Sequence, residues 1–447
     1  MKNTIYEYLK DKSVLILGLG REGKSTYNLI RSIDKNKVLG IADLNKITDN
    51  DILNDKNVII AEGDKYLDVC NNYDVIIKGP GVIIKDYLDD SVKSRITCQT
   101  DLFMKYATFK TIGITGTKGK STTTSLMYHI LKELGQETVI MGNIGIPVFD
   151  TLDELNDNTI AVIELGCHQL EYMRHSPNIG VILDIYEEHL DHYVSMDAYV
   201  ESKKNIYKYQ KESDYILLGK SDYLDYDNIK SKLLKNDELD NNCFYLNDNL
   251  NIIFNNEQVK IPSSEIVTRL EGKHNLYNIL VCLTIIKILG LDIDKSLQAI
   301  STFKPLPHRM EFVGNYDGIS YYDDSIATSV ESVIQAIDTL KKVDTVIVGG
   351  MDRGLDYSEL VRYLENSDVR NILLLPDTSI RINEMFRDTK KNVMMVNDME
   401  EAVNVAKKET EKGKICLLSP AAASYNVYKN FEVRGDHFKS LVSNSKN

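Results

Sequence analysis

The sequence predicts an α/β protein of three domains with mostly parallel sheets. Short runs of β-branched and aliphatic residues alternate with helical patterns in three successive segments, which is the order that βαβ units produce. A chain of 447 residues is also too long for one ordinary hydrophobic core. We expect domains at residues 1–98, 99–305 and 306–447, the last boundary lying where Pro305 and Pro307 interrupt a helical pattern.

Each segment carries strands that end at polar or glycine-rich turns. Runs of aliphatic residues predict strands at residues 14–17, 38–42, 75–77, 111–115, 161–163, 181–183, 345–348, 372–375 and 415–418. A helix is predicted from about Ser121, and another is expected to start at Lys203. Residues 221–259 are polar and rich in Asn and Asp, so we interpret them as peripheral structure.

Composition limits the function classes. The formal net charge is −13, which argues against broad binding to a nucleic-acid backbone. No apolar run is long enough to cross a bilayer, and the N-terminus lacks a signal-peptide pattern. The six cysteines are far apart, so neither a disulfide framework nor a zinc site is expected. We therefore expect a soluble, cytoplasmic protein.

The sharpest local motif is a phosphate-binding loop at residues 113–123. A strand enters a glycine loop, and a helix begins at Lys120 and Ser121. Glycines allow backbone N–H groups to surround a phosphate, and the helix N-terminus adds partial positive charge. Lys120 would reach the β- and γ-phosphates, and the Ser121 hydroxyl would bind Mg²⁺. Ile114 stands where the usual motif has its first glycine, and the alternative is an ordinary strand-to-helix turn.

A second glycine loop, at residues 18–23, follows the first strand, and Asp43 ends the next one. This spacing is typical of dinucleotide-binding proteins, so a nicotinamide oxidoreductase is one interpretation. A UDP diphosphate or a structural turn fits the same residues. The local motif does not decide between them.

Further candidates lie where predicted strands end. Glu164 follows one strand and His189 another, and ligands of α/β proteins bind at that edge of the sheet. Glu164 and Ser121 offer the oxygen ligands that Mg²⁺ prefers. Lys203 and Lys204, considered alone, are typical of a solvated basic helix face.

Taken together, the motifs resemble the Mur ligases, and among them those that add glutamate to UDP-N-acetylmuramoyl-alanine. The resemblance extends over the whole chain. Its motifs stand, in order, at residues 18–23, 78–81, 115–122, 142–145, 164–171, 188–191, 272–278, 306–309, 324–325, 349–350 and 419–432.

The resemblance implies a Rossmann-like N-terminal domain that binds UDP, a central P-loop ATPase-like domain and a Rossmann-like C-terminal domain. ATP would be bound by Gly116, Thr117, Lys118, Gly119, Lys120, Ser121, Thr122, Asn275, Asn278, His308, Arg309 and Asp324. The UDP-sugar would be bound by Gly20, Arg21, Glu22, Asp43, Gly81, Asn143 and Gln169. Glutamate would be bound by Thr328, Arg353, Ser424 and Phe431.

The resemblance also implies the cofactors and the reaction. Mg²⁺ would be bound by Ser121, Glu164, His189 and Lys203, with Lys203 carbamylated by CO₂. Together with Lys120, the residues Glu164, His189 and Lys203 would form the catalytic centre. The reaction would use ATP, UDP-N-acetylmuramoyl-L-alanine and glutamate through an acyl phosphate, and we expect a monomer without nucleic-acid or membrane partners.

Two departures from the family pattern leave alternatives open. Ile326 replaces a lysine of the glutamate pocket, and Gly166, Cys167 and His168 replace the usual Ser-Ser-Phe. The acceptor is therefore D-glutamate by family pattern, with L-glutamate as the alternative. A non-catalytic nucleotide-binding relative is the third interpretation.

Overall fold

The fold is described from a computed structural model of the chain. The structure describes residues 1–84, 88–185, 193, 195–219, 229–236, 243–249, 251–262, 273–304, 307–328, 330–352, 355–386 and 389–443. The chain divides into two compact units, Met1–Lys304 and Pro305–Asn447. This division lies one residue from the predicted boundary at 305/306. The predicted boundary at 98/99 falls inside the first unit and stays a prediction.

The first unit begins with a parallel sheet. Its strands are β1 Val14–Leu17, β2 Leu39–Asp43, β3 Val58–Glu62, β4 Val75–Lys78 and β5 Ile96–Thr97, in the spatial order β3-β2-β1-β4-β5. The helices are α1 Lys2–Leu9, α2 Arg21–Ile33, α3 Asn50–Leu53, α4 Asp90–Lys93 and α5 Gln99–Tyr106. The strand order reverses direction between β1 and β4, and such a switch point is where open α/β sheets bind ligands. The loop after β1 is the first glycine loop.

The second sheet of this unit is also parallel. Its strands are β6 Lys110–Thr115, β7 Thr138–Gly142, β8 Ile160–Glu164, β9 Ile179–Ile182, β10 Tyr215–Leu218 and β11 Lys232–Lys235, in the order β11-β10-β9-β6-β8-β7. The helices are α6 Lys120–Glu133, α7 Cys167–Leu170, α8 Met196–Lys208, α9 Lys273–Ile288 and α10 Ile293–Thr302. β6 lies between β8 and β9, so Glu164 and the loop after Thr115 meet at one edge.

A small antiparallel sheet completes the unit. Its strands are β12 Tyr245–Leu246, β13 Ile252–Phe254 and β14 Glu257–Gln258. They belong to the polar stretch that the sequence analysis interprets as peripheral.

The second unit is built on a six-stranded sheet. Its strands are β15 Glu311–Tyr316, β16 Ile319–Asp323, β17 Val343–Gly349, β18 Asn371–Leu375, β19 Asn392–Met395 and β20 Ile415–Leu418, in the order β15-β16-β20-β17-β18-β19. Only β15 runs antiparallel among the strand pairs that the structure describes here. The helices are α11 Val330–Leu340, α12 Ser358–Asn366, α13 Ser379–Met385, α14 Met399–Glu409 and α15 Phe431–Ser443.

The prediction of an α/β fold with mostly parallel sheets is confirmed, and every predicted strand is present within one or two residues. All six cysteines are buried, and none of them forms a disulfide bond. The expectation that a helix starts at Lys203 is wrong, because α8 begins at Met196 and Ser195 caps it by accepting a hydrogen bond from Ala198 N at 3.2 Å. Within the described ranges, no helix is both long and apolar enough to span a membrane.

Candidate active site

The glycine loop between β6 and α6 has the backbone geometry of a phosphate cradle. Gly116 has φ 149° and Gly119 has φ 82°, values that side chains rarely allow. A Cβ on Gly119 would lie 2.8 Å from Asn278 Oδ1, so the loop also needs glycine for space. The N-cap of α6 is Gly119, which has no side chain to accept from the first N–H groups of the helix, so these groups suit an anion.

Two lysines meet at this loop. Lys120 Nζ donates to Gly116 O at 3.0 Å and to Thr117 O at 2.8 Å. Lys203 Nζ donates to the same Gly116 O at 3.0 Å and lies 3.5 Å from Thr115 Oγ1. Lys203 is only 1% exposed, so the interpretation of a solvated basic face is wrong for it. Lys204 is also largely buried, with 14% of its side chain exposed, and its Nζ pairs with the exposed Glu201 at 2.7 Å.

Tyr199 fixes the position of Lys203. The two residues are one helical turn apart on α8, and Lys203 Nζ lies 4.6 Å from the centre of the Tyr199 ring. The Tyr199 hydroxyl is 3.0 Å from Thr117 Oγ1 in the glycine loop. The buried face of α8 therefore contacts the loop through two adjacent turns, and the sequence analysis missed Tyr199.

Glu164 brings a buried carboxylate to the same edge. β8 pairs with β6 so that Glu164 lies beside Ile114, immediately before the glycine loop. Glu164 is 1% exposed, and its Oε1 accepts a hydrogen bond from Asn143 Nδ2 at 2.7 Å. Its Oε2 is buried and has no hydrogen-bond partner among the described residues. A buried carboxylate oxygen left in this state fits a hard cation such as Mg²⁺.

The other predicted nucleotide contacts of the first unit are near the loop. Ser121 is buried at the second residue of α6, Thr122 is half-buried and Lys118 is exposed. Asn278 lies in the first turns of α9 and reaches Gly119, and its Nδ2 is 3.5 Å from Asn275 Oδ1.

The first glycine loop opens onto a cavity of about 800 Å³ that Gly18, Gly20, Asp43 and Gly81 help to line. Both carboxylate oxygens of Asp43 accept backbone hydrogen bonds, from Leu19 N at 2.7 Å and from Asn45 N at 2.8 Å. Asp43 thus orders the loop itself, whatever ligand occupies the cavity.

Four predicted sugar-side residues lie between the two sheets of this unit. Arg21 Nη1 donates to Gly145 O at 3.0 Å, and Gln169 Nε2 donates to Glu22 Oε1 at 2.5 Å. Burial raises the pKa of Glu22 to about 7 against the effect of the Gln169 hydrogen bond. Asn143 contacts Glu164, as described above.

Lys78 is a buried lysine that the sequence analysis noted only as part of a motif. It ends β4 beside the first glycine loop and is 2% exposed. Burial lowers its pKa, and its Nζ lies 3.9 Å from Glu171 Oε2.

In the second unit, predicted nucleotide residues gather where β16 ends. His308 Nδ1 lies 2.7 Å from Asp323 Oδ2, and the ring packs edge-on against Phe431 with centroids 6.2 Å apart. Asp324 Oδ2 accepts a hydrogen bond from Ser419 Oγ at 2.8 Å. Burial raises the pKa of Asp324 to about 7. Arg309 Nε is buried without a hydrogen-bond partner in the described part of the chain.

Arg434 is a functional candidate that the sequence analysis missed. It is 1% exposed, and its guanidinium donates to Ser325 Oγ, Ser325 O, Ala422 O and Ala423 O at 2.8 to 3.2 Å. It therefore ties the loop after β16 to the loop after β20, which carries the predicted glutamate residue Ser424. Phe431 is half-buried beside this cluster, and Thr328 is exposed.

Comparison with known proteins decides the family. The sequence model of the Mur ligase middle domain matches residues 114–286, and that of the Mur ligase glutamate ligase domain matches residues 308–422. A UDP-N-acetylmuramoylalanine–D-glutamate ligase of Clostridium kluyveri is 33% identical, with 98% of each chain covered. One from Clostridium tetani is 31% identical, with 99% of each covered.

This chain belongs to the Mur ligase family. Mur ligases are ATP-dependent ligases, so the family, and not the geometry of the first glycine loop, decides against a nicotinamide oxidoreductase.

Solved Mur ligases share the fold. MurF from Thermotoga maritima, in complex with ADP, aligns with a TM-score of 0.56 and 15% identity, covering 96% of this chain and 95% of that one. MurC from the same organism aligns with a TM-score of 0.56 and 19% identity, covering 97% and 100%. At these identities the likeness supports the fold alone.

Lys120, Glu164, His189 and Lys203 are expected to converge in a Mur ligase centre. Lys120 and Lys203 share the acceptor Gly116 O, and Glu164 ends β8 beside β6, the strand that leads into the same loop. His189, the fourth, lies outside the described residues, as does Arg353 of the expected glutamate pocket. Their roles stay predictions.

Proposed function

We propose that this chain joins D-glutamate to the alanyl carboxylate of UDP-N-acetylmuramoyl-L-alanine in the cytoplasm, with cleavage of ATP to ADP and phosphate. This reaction is a step of peptidoglycan precursor synthesis. The substrates are taken from the names of relatives that match the chain end to end. The single observation that supports the chemistry is that Lys120 and Lys203 share Gly116 O of the glycine loop, next to the strand end that carries Glu164.

In the first step the alanyl carboxylate attacks the γ-phosphorus of ATP, giving an acyl phosphate and ADP. The nucleophile comes from the substrate, so the protein's task is to orient the two reactants and neutralise charge. Lys120 and the N–H groups at the start of α6 bind the phosphates. Lys120 must then exchange its hydrogen bonds to Gly116 O and Thr117 O for phosphate oxygens.

In the second step the amine of glutamate attacks the acyl carbon. A tetrahedral intermediate forms, the C–O bond to phosphate breaks, and the amine nitrogen loses a proton as the amide forms. Water must be kept away from the acyl phosphate at this stage, because it would otherwise hydrolyse it.

Mg²⁺ would be held by Ser121, Glu164 and His189, and it would supply charge neutralisation on the phosphates when bound. The buried, unpartnered Glu164 Oε2 supports this assignment. We further propose that the Lys203 amine adds CO₂, forming an N–C bond and releasing one proton. An ammonium beside Mg²⁺ would repel it, whereas a carbamate adds anionic oxygens.

The remaining assignments follow the family pattern. Gly20, Asp43 and Gly81 at the 800 Å³ cavity would bind the UDP group, and Asn143 and Gln169 the sugar side. Asn275 and Asn278 would contact the nucleotide, as would His308, Arg309 and Asp324 of the second unit. Thr328, Arg353, Ser424 and Phe431 would bind glutamate.

The test is a ligation assay with UDP-N-acetylmuramoyl-L-alanine, ATP and each glutamate enantiomer, with ADP release and product mass both measured. We expect ADP release that depends on both substrates and a product one glutamyl residue heavier with D-glutamate. If only L-glutamate gave this product, L-glutamate would take the place of D-glutamate in the proposal. Ile326 leaves this open, because it stands where the family pattern has a lysine in the glutamate pocket. No turnover with either enantiomer would contradict the proposed function.

A further inference from the structure

Two adjacent residues at the start of α2 hold the two loops that flank Glu164. Arg21 and Glu22 follow the first glycine loop, more than a hundred residues before Glu164 in the chain. The family pattern places them among the UDP-sugar residues. Their side-chain contacts lead instead to the edge of the second sheet.

Arg21 holds the loop that follows β7. Its Nη1 donates to Gly145 O at 3.0 Å, and Gly142 N donates to Ile146 O at 2.6 Å, which closes the loop on itself. Asn143 in this loop contacts Glu164 twice. Its backbone N donates to Glu164 O at 2.9 Å, and its Nδ2 donates to Glu164 Oε1 at 2.7 Å. Arg21 thus supports the residue that orients the Glu164 carboxylate.

Glu22 holds the turn that follows β8. Its Oε1 accepts from Gln169 Nε2 at 2.5 Å, and Gln169 Oε1 accepts from Gly166 N at 2.9 Å. Gln169 is 2% exposed, so its amide has no water to replace either contact. Gly166 lies two residues after Glu164 and packs against Asn143, because a Cβ at Gly166 would be 3.1 Å from Asn143 Oδ1.

The backbone of α2 is fixed at the same place. Gln99 Nε2 donates to Glu22 O at 2.9 Å and lies 3.1 Å from Thr26 Oγ1, so the first turn of α2 is anchored independently of the Gln169 contact. Gly18 and Gly20 of the first glycine loop line the 800 Å³ cavity, whereas Arg21 and Glu22 are not among its lining residues.

We propose that Arg21 and Glu22 are positioning residues of the metal centre: they orient Glu164 through Asn143 and Gln169. The inference rests on the proposed function only in placing a metal–nucleotide site at Glu164. It links the glycine loop of the UDP cavity to the carboxylate that would hold Mg²⁺. Residues that orient a metal ligand commonly change metal affinity by roughly 10- to 100-fold when they are replaced.

The test measures metal binding without the UDP-sugar. The concentration of Mn²⁺ needed to half-saturate the full chain in saturating ADP is followed by the loss of the free Mn²⁺ electron paramagnetic resonance signal beyond the loss that the same ADP concentration causes without protein. We expect Glu22→Ala and Gln169→Ala each to raise it about ten-fold. The double variant should bind Mn²⁺ no more weakly than the weaker-binding single variant, because Glu22→Ala and Gln169→Ala remove the same contact. Glu22→Gln keeps an acceptor for Gln169 and should restore binding to within about two-fold.

Arg21→Ala should weaken Mn²⁺ binding to a similar degree. Lys24→Ala is the matched control, because Lys24 lies on the same helix but pairs with Asp49 and Asp51, away from both loops. The control should bind Mn²⁺ and ADP as the unaltered chain does. If these residues served only to bind UDP, replacing them would leave the Mn²⁺ affinity unchanged, since no UDP compound is present in this measurement.

Unchanged Mn²⁺ affinity in Glu22→Ala would overturn the inference, and so would an equal loss in Lys24→Ala. Additive losses in the double variant would also overturn it. If the unaltered chain bound no Mn²⁺ in the presence of ADP, the proposed function itself would fail, which is a different result from any of these.

Discussion

Lys120 and Lys203 donate to the same oxygen, Gly116 O, each at 3.0 Å. One comes from the glycine loop and the other from α8, 83 positions later in the sequence. Two ammonium groups at one carbonyl produce local positive charge in a chain whose formal net charge is −13. Under the proposed function, their mutual repulsion would be relieved by ATP phosphates at Lys120 and by carbamylation of Lys203.

Replacing Lys120 tests the phosphate role. Lys120→Ala should lower kcat/KM for ATP by at least about 10²-fold, because a charge positioned for the transferred phosphate is lost. ADP release in the ligation assay measures this. Lys110→Ala is the control, since Lys110 is exposed at the opposite end of β6. Equal activity of the two variants would contradict the assignment.

Lys203 tests the carbamate. Removing CO₂ should slow the unaltered chain, and added bicarbonate should restore its rate. Lys203→Ala should be inactive and unaffected by bicarbonate, whereas Lys208→Ala, exposed in the last turn of the same helix, should behave as the unaltered chain. Full activity of the unaltered chain after rigorous CO₂ removal would argue against carbamylation.

Asp324 predicts a pH dependence of stability. Its folded pKa is raised to about 7 from 3.8, so between these values the folded state binds the proton and the unfolded state does not. The contribution of Asp324 to the free energy of unfolding therefore falls by roughly 4 kcal/mol as pH rises from about 4 to 7, and it is constant above that range. The free energy of unfolding by urea, compared with that of Asp324→Asn, should show the variant gaining relative stability across this window. A difference that does not change with pH would contradict the raised pKa.

Arg434 predicts a large structural effect. Arg434→Met should destabilise the second unit by about 3 kcal/mol, because Ser325 O, Ala422 O and Ala423 O lose a buried donor. Lys439→Ala, on the same helix and paired with Glu311 at 3.2 Å, should cost less than about 1 kcal/mol. Urea unfolding of the full chain measures both. Similar values for the two variants would refute the role given to Arg434.

Sequence reasoning recovered the parts of the site that local motifs encode. The glycine loop, Glu164 at a strand end and the positions of the strands along the chain follow from local sequence patterns. The hairpin of β15 and β16 was missed although it carries a turn signal, Asp317-Gly318, with φ of 54° and 85°.

Helical periodicity in the sequence could also have predicted which side chains of α8 and α15 are buried. Lys203 is in phase with the buried Tyr199 and Ile206, and Arg434 with the buried Phe438. The Glu22–Gln169 contact joins residues 147 positions apart, so no local pattern predicts it. It depends on how the two sheets of the first unit pack, which only the structure provides.

We propose that Lys120, Lys203 and Glu164 serve one metal–nucleotide centre. Anomalous scattering from Mn²⁺ in crystals of the full chain grown with ADP tests it most directly. We expect a Mn²⁺ peak bound by Ser121 Oγ and Glu164 Oε2, with Lys120 on an ADP phosphate. Bound ADP with a Mn²⁺ peak remote from Glu164 would contradict it.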